Sequence, residues 1–208
     1  MFAARIMEEK ELFEKVTHLF MQLGIKSMTM DEIARQLGIS KKTLYQFVDN
    51  KKDLVKKSIE YHIGCEECNM TEILGSCENA IDEIMEMTTQ VSTEMKNMHP
   101  SVMFDMKKYH PEAFKVLLKH KDEFVRKSIL KNLESGVAEG YYRTNLNPQV
   151  VTEFYLSMVS TIINTDNSLM KKHKFSEILS EMMRYHIRGI ASSKGREYLK
   201  QKFSQHNV

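Results

Sequence analysis

The sequence contains few of the residues that interrupt helices or cross-link chains. Its 208 residues include 3 Pro, 8 Gly and 3 Cys, and no Trp. The scarcity of Pro and Gly, together with many Met, Leu, Glu and Lys residues, favours helices over strands joined by turns. Three cysteines are too few for a disulfide framework and fit a reducing cytosol. No apolar stretch approaches the ~18 residues that a membrane span requires.

Charge of neither sign dominates the composition. Lys and Arg number 30 and Asp and Glu number 28, so the net charge of +2 indicates no particular partner. The first residues lack an apolar segment followed by a cleavage site, and we therefore expect no signal peptide. The length is sufficient for one or two domains with a sizeable core. We expect a soluble, cytoplasmic, all-α protein without a membrane partner.

Apolar residues recur at spacings of three and four along most of the chain, which predicts amphipathic helices. Gly24 is predicted to end the first helix in a left-handed conformation, and Gly136 and Gly140 to mark a later helix end. We expect the polar residues 192–208 to fray, unless Tyr198, Leu199 and Phe203 dock. Besides two short helices before residue 50, the predicted helices cover about residues 5–23, 51–65, 77–98, 101–109, 111–138, 148–166 and 175–191.

Two short helices joined by a three-residue turn are predicted before residue 50. Thr29 and Glu32 have the spacing of a capping box at the start of the first short helix, and Gly38 ends it. Ser40 is predicted to cap the second, which runs from about Lys41 to Phe47. This arrangement describes a helix-turn-helix motif. Its small core is predicted to consist of Ile33, Ala34, Leu37, Ile39, Leu44 and Phe47.

The outer face of the second short helix has side chains that suit DNA. Lys can donate to guanine, Gln can pair with adenine, and the Thr methyl group can contact thymine. Residues 40–57 contain six lysines and two aspartates, so the positive excess of the chain lies here. A lysine-rich face alone is more often merely solvated, but its combination with the turn and the caps favours DNA binding.

The stretch from Gly24 to Leu54 resembles the TetR family of bacterial transcriptional regulators. The resemblance rests on the Thr-capped D-E-I-A helix, the turn G-I-S, the segment T-L-Y, and a Lys before an acidic residue and Leu. Lys42 and Val48 depart from the family pattern, which commonly has Gly and Phe there. The resemblance implies a DNA-binding domain at residues 1–65 and a ligand-binding and dimerisation domain at 66–208. The residues expected to contact DNA are Thr29, Ser40, Lys41, Lys42, Thr43, Tyr45, Gln46 and Lys51.

Two later helices, at 148–166 and 175–191, have apolar stripes too wide for one core-facing seam. They are either central helices of a monomeric bundle or a partner surface. The family resemblance favours the second interpretation, a homodimer that reads a pseudopalindromic DNA operator.

Seven of the 16 methionines fall between residues 70 and 106. Methionines suit an adaptable apolar pocket, but they also fill irregular gaps in a core. The candidate pocket residues for an unidentified small-molecule effector are Met85, Met95, Met103, Phe104, Phe114 and Phe124. A second cluster, of His62, Cys65, Cys68 and Cys77, has the residue types of a zinc or copper site, yet free cysteines often behave as small buried hydrophobes. We expect no metal and no cofactor.

The preferred hypothesis is a DNA-binding regulator, a repressor that a small apolar effector releases from its operator. The alternative is a DNA-bound adaptor that a protein partner switches, which a filled C-terminal core would favour. An enzyme is disfavoured, because the sequence has no phosphate-binding glycine loop, no nucleophile elbow and no zinc-protease motif.

Overall fold

The computed structural model describes residues 8–163 and 172–204. These residues form eleven α-helices and one π-helical turn, Lys121–Val125, and they contain no β-strand. The fold of the described residues is therefore all-α, as predicted. The helices are α1 (Glu9–Leu23), α2 (Met30–Leu37), α3 (Lys41–Leu44), α4 (Lys51–Gly75), α5 (Ala80–Asn97), α6 (Val102–Tyr109), α7 (Pro111–His120), α8 (Arg126–Ala138), α9 (Pro148–Ile163), α10 (Phe175–Ile190) and α11 (Ser193–Ser204).

The helix boundaries differ from the predictions at several positions. The helix α3 ends at Leu44 rather than near Phe47, and α4 continues to Gly75, beyond the predicted end. The π-helical turn divides the predicted helix 111–138. Residues 193–204, which were expected to fray, form α11 because Leu199 is buried against the core. The predictions for residues 5–7, 164–166 and 205–208 lie outside the described residues.

The described residues form two compact units. The first contains the residues up to Cys68 together with Asn97–His120, and the second contains Asn69–Lys96 and the residues from Lys121 onward. In the first unit, apolar residues of α1, α2, α3 and α4 pack in one core with Val102 and Met106 of α6 and Ala113 of α7. The helix-turn-helix region therefore shares its core with helices that follow it by more than fifty residues.

The core of the second unit is built around buried Tyr142. Its hydroxyl group donates to the carbonyl oxygen of Ala80 at 3.0 Å and lies 3.0 Å from Oδ1 of Asn132. Burial raises the pKa of Tyr142. A Cβ atom on Gly136 would lie 2.1 Å from the Tyr142 ring, so this position requires glycine. The predicted helix end at Gly136 and Gly140 is confirmed, because α8 ends at Ala138 between them, and Gly136 itself lies within the last turn, where it allows close packing.

No helix in residues 8–163 and 172–204 is both long and apolar enough to cross a membrane.

Candidate functional site

The start of α2 is fixed by a reciprocal pair of hydrogen bonds. The Thr29 hydroxyl oxygen accepts from the backbone N–H of Glu32 at 3.2 Å, and the Glu32 carboxylate accepts from the backbone N–H of Thr29 at 2.8 Å. These bonds satisfy backbone donors that have no partner within the helix. The pKa of Glu32 is lowered because its carboxylate accepts from the Thr29 backbone N–H and, at 2.8 Å, from the Thr29 hydroxyl. The predicted capping box is thus confirmed.

The turn after α2 depends on Gly38. This glycine has φ +68° and ψ +25°, the left-handed conformation that residues with a Cβ atom rarely adopt. By contrast, Gly24 after α1 has φ +81° and ψ +156°. Its φ is positive, as predicted, but its ψ lies outside the left-handed helical region that was predicted. A Cβ atom on Gly24 would lie 2.7 Å from Oγ of Ser101, which makes the site too narrow for a side chain.

The short helix α3 begins with the predicted cap. The Ser40 hydroxyl oxygen accepts from the backbone N–H of Thr43 at 3.0 Å. After Leu44 the chain continues in tighter turns, in which the N–H groups of Gln46 and Phe47 donate to carbonyl oxygens three residues back. All six residues predicted for the small core pack in the core of the first unit: Ile33, Ala34, Leu37, Ile39, Leu44 and Phe47.

The predicted DNA-binding side chains lie mostly at the surface. Tyr45 is 44% exposed despite its large apolar ring. The Lys41 ammonium group forms an ion pair with Asp31 at 2.8 Å, and this contact raises the pKa of Lys41. The Thr43 hydroxyl lies 2.8 Å from that of Ser40 and is half-buried. The residues of this group that are exposed are Thr29, Ser40, Lys41, Lys42, Tyr45 and Gln46.

Lys51 has a different environment from the other predicted DNA-binding residues. Its ammonium group donates to the carbonyl oxygen of Ile25 at 2.7 Å and lies 3.4 Å from that of Lys26. Burial lowers the pKa of Lys51, while Asp105 and Glu32 act in the opposite direction. Lys51 therefore joins the start of α4 to the loop between α1 and α2.

The same loop is held by residues of α6 that the sequence analysis did not identify. The backbone N–H of Lys26 donates to Oδ2 of Asp105 at 2.9 Å, and the Ser101 hydroxyl donates to the same oxygen at 3.0 Å. The Lys26 ammonium group lies 3.3 Å from the Tyr109 hydroxyl, a contact that lowers the pKa of Tyr109. The sequence shows only an acidic residue in the first turn of α6, and the partner of Asp105 is 79 residues away along the chain.

The second unit exposes large apolar side chains on α9 and α10, the two helices with wide apolar stripes. Phe154 is 63% exposed and Tyr185 is 79% exposed. An apolar cavity of about 380 Å³ lies between the same helices, with Met158, Ile162, Ile178 and Met182 in its walls. Exposed apolar surface of this kind marks interaction sites in folded proteins.

A larger groove of about 1110 Å³ lies between α5, α10 and α11 in the second unit. Of the six candidate pocket residues, Met85 lines this groove, and the other five line neither cavity. Met103 and Phe114 pack against the core of the first unit. Met95 and Phe124 are half-buried in the second unit. Phe104 is exposed, and its ring contacts the ring of Tyr109 edge-on. Met87 and Met106 are buried core residues, which agrees with the gap-filling interpretation for those two.

The candidate metal-ligating residues have separate environments. Nε2 of His62 lies 3.2 Å from a carboxylate oxygen of Glu66. Cys65 and Cys68 are exposed, and none of Cys65, Cys68 and Cys77 forms a disulfide. The Cys77 thiol donates to the carbonyl oxygen of Ile73 at 3.4 Å, and burial raises its pKa.

Residues 13–57, which span α1, α2, α3 and the start of α4, match the family model of bacterial regulatory proteins, tetR family. This segment, which contains the helix-turn-helix motif, is therefore similar to the TetR family. Among curated proteins, no sequence matches this chain.

The TetR-like fold extends over most of the chain. The reduced form of Escherichia coli NemR shares 16% identity at a TM-score of 0.69, with 88% of this chain and 95% of that chain covered. A TetR-family regulator from Agrobacterium tumefaciens shares 14% identity at a TM-score of 0.67, covering 87% and 96%. Bacillus subtilis FadR in complex with stearoyl-CoA shares 13% identity at a TM-score of 0.64, covering 88% and 100%. These likenesses establish the fold.

Proposed function

We propose that this protein is a sequence-specific DNA-binding transcriptional regulator, a repressor that a small effector releases from a pseudopalindromic operator. The observation that carries the proposal is the α2–α3 motif within a TetR-type domain. Two capped short helices meet at a left-handed glycine, and the outer face of the second bears exposed Lys42, Tyr45 and Gln46. Such a helix enters the major groove in helix-turn-helix proteins.

Each predicted DNA-binding residue takes a chemical role. Gln46 reads a base edge, because its amide can both donate to and accept from adenine. Lys42 contacts guanine or phosphate, and Tyr45 positions the domain on the backbone. Thr29, Ser40, Lys41 and Thr43 lie beside them and bind phosphate. Lys51 has two of its three N–H donors engaged with the loop before α2, and its third binds a phosphate.

The active species is a homodimer formed through α9 and α10. Phe154 and Tyr185 present large apolar surfaces to water in a single chain, and burial against a second copy would remove that cost. A two-fold dimer presents two copies of α3 to the two half-sites of an inverted repeat. Residues 1–65 act as the DNA-binding domain and residues 66–208 as the ligand-binding and dimerisation domain.

Effector control is supported by the groove of about 1110 Å³ in the second unit, which is large enough to hold a small molecule. The stearoyl-CoA complex of FadR and the choline complex of a Saccharomonospora viridis regulator are consistent with small-molecule control in this fold. The effector acts by binding more tightly to a dimer whose recognition helices do not match the operator. The signal reaches the DNA-binding domain through α4. We propose a cytoplasmic protein without catalytic activity.

Titration of fluorescent duplexes of random sequence tests the DNA-binding surface. Lys42→Glu should weaken binding strongly and reduce its dependence on salt, because the exposed ammonium group would be replaced by a charge that repels phosphate. Lys131→Glu, an equal charge change at an exposed position on α8, is the matched control and should retain most of the affinity. Equal losses in the two variants would contradict the proposed surface.

A further inference from the structure

Positive charge lines all three helices of the large groove in the second unit. Its lining residues include five basic side chains and no acidic one. Arg184 and Arg188 lie four residues apart on α10, and Arg196 and Lys200 lie four residues apart on α11. Lys96 occupies the last turn of α5. Because residues at this spacing share one helix face, each pair places two basic side chains on the same side of its helix. This arrangement favours a bound anion.

Two of the five cations have carboxylate partners outside the groove lining. Arg184 pairs with Glu181 at 2.6 Å, and Lys200 lies 3.8 Å from Glu197. Lys96, Arg188 and Arg196 form no ion pair with the residues that the structure describes. Among the described residues, three of the five basic side chains of the groove thus have no carboxylate within ion-pair distance. Three positive charges exceed the single negative charge of one carboxylate. They suit a phosphate group better, because guanidinium groups bind phosphate through two parallel hydrogen bonds.

The floor of the groove is apolar. It contains Leu179, Met183 and Ile187 of α10, with Met85 of α5 and Leu199 of α11. On the α5 wall, Thr88, Thr89 and Thr93 donate their hydroxyl hydrogens to carbonyl oxygens of their own helix. Their hydroxyl donors are thus engaged within α5, and their methyl groups remain for apolar contacts. A polar solute without an apolar part would leave this floor uncovered.

We propose that the groove binds a soluble anionic amphiphile, an acyl chain with a phosphorylated head group. The chain lies on the floor formed by Leu179, Met183 and Ile187. The head group accepts hydrogen bonds from Arg188 and Arg196, and Lys96 adds a third positive charge. Binding of this ligand in the groove does not depend on the DNA-binding proposal. The further claim that such a ligand is the effector rests on the proposed function.

Calorimetric titration of the full-length protein with decanoyl-coenzyme A, without DNA, tests the site. Coenzyme A and decanoate serve as probes of the head and the chain alone. We expect saturable binding of one decanoyl-coenzyme A per chain, at least tenfold tighter than either part. Equal affinity for coenzyme A would overturn the proposal, because it would show that the apolar floor contributes nothing. Failure of decanoyl-coenzyme A to bind would overturn it as well, as would binding confined to phosphatidylglycerol vesicles.

Charge-removing variants locate the ligand in the groove. Arg188→Gln and Arg196→Gln should each weaken decanoyl-coenzyme A binding about tenfold, since each removes a charge-assisted hydrogen bond. Both side chains are exposed, and the Tm of each variant checks folding. Lys131→Gln on α8 removes an exposed charge outside the groove and should leave the affinity unchanged. Unchanged affinity in both arginine variants would place the ligand elsewhere and refute the site. Because no DNA is present, either proposal can fail without the other.

Discussion

The ammonium group of Lys51 lies 2.7 Å from the carbonyl oxygen of Ile25. Ile25 is fully buried near the start of the loop that follows α1, and Lys51 is the first residue of α4. One side chain thus joins two elements that are 26 residues apart. The loop leads directly to the capping box of α2, so this bond helps to determine where the helix-turn-helix motif lies.

Replacement of Lys51 by Met should affect both stability and DNA binding. The Ile25 carbonyl would lose a charged donor, which costs about 1.5–3 kcal/mol in typical cases, so thermal unfolding should show a lower Tm. Affinity should fall for all DNA sequences, and the log–log slope against salt should decrease by about one. Lys52→Met at the neighbouring exposed position should leave the Tm unchanged. A fall in affinity with an unchanged salt slope would show that Lys51 binds no phosphate.

Gln46 and Tyr45 should differ in what they contribute to DNA binding. Gln46→Ala should change the preferred base at one operator position, because a bidentate amide contact discriminates by about 1–3 kcal/mol. Tyr45→Ala should instead weaken binding to all sequences alike, since a backbone contact has no base preference. Affinities for a panel of single-base operator variants distinguish these outcomes. A uniform loss across the panel for Gln46→Ala would refute its base-reading role.

Thr29 combines a cap with a proposed phosphate contact, and two substitutions separate the roles. Thr29→Ala removes the acceptor for the Glu32 N–H and should destabilise the protein by about 1 kcal/mol. Thr29→Asp retains an acceptor at the positive end of the α2 dipole, but the Thr29 hydroxyl also donates to the Glu32 carboxylate at 2.8 Å, and the new carboxylate would repel that group. The Tm should therefore fall about as far as in Thr29→Ala, while DNA binding should weaken further than in Thr29→Ala through repulsion of phosphate. If Thr29→Asp binds DNA with wild-type affinity, Thr29 does not contact DNA.

Dimer formation should depend on the exposed rings of α9 and α10. Phe154→Glu places an unpaired charge in the proposed interface and should weaken self-association about thirtyfold or more, as changes at interface hot spots of about 2 kcal/mol do. Val91→Glu, at an exposed apolar residue of α5, is the control and should leave self-association unchanged. Sedimentation over a range of concentrations measures both. Identical dimer affinity in Phe154→Glu and the wild type would exclude this interface.

Buried His186 should make stability sensitive to acid. Its ring packs edge-on against Tyr155 at 5.1 Å, Nε2 has no hydrogen-bond partner among the described residues, and burial lowers its pKa to about 4. In the unfolded chain, the His186 imidazole is protonated below its ordinary pKa near 6.5, whereas in the native state the same imidazole remains neutral until about pH 4. Stability should therefore be full above about pH 6.5 and fall between that pH and 4, by up to roughly 3 kcal/mol.

Replacement of His186 by Phe preserves the ring contact and removes the titrating group. Denaturant unfolding at several pH values should show a smaller loss of stability in acid than in the wild type. Some loss should remain, because burial also lowers the pKa of His110. His18→Gln, at an exposed histidine of α1, should retain the wild-type dependence. An unchanged acid profile in His186→Phe would contradict the assignment.

The local features of the DNA-binding motif were predictable from sequence because their causes are local. The capping box spans four residues, and the helices follow from apolar spacing and glycine positions. The contacts of Lys26 with Asp105 and of Lys51 with Ile25 were not predicted, since they join segments that are distant in sequence. The groove of the second unit was also missed. Its basic residues come from three separate helices, and only their packing brings them to one cavity.

Selection of bound sequences from a random double-stranded DNA pool, at physiological salt, tests the central claim most directly. We expect enrichment of an inverted repeat whose half-sites are separated by one or more helical turns, because a two-fold dimer presents two recognition helices. Loss of that enrichment in Gln46→Ala, with a new preference at one position of each half-site, would connect the repeat to α3. A pool that remains unenriched, with only salt-sensitive background binding, would contradict sequence-specific recognition by this protein.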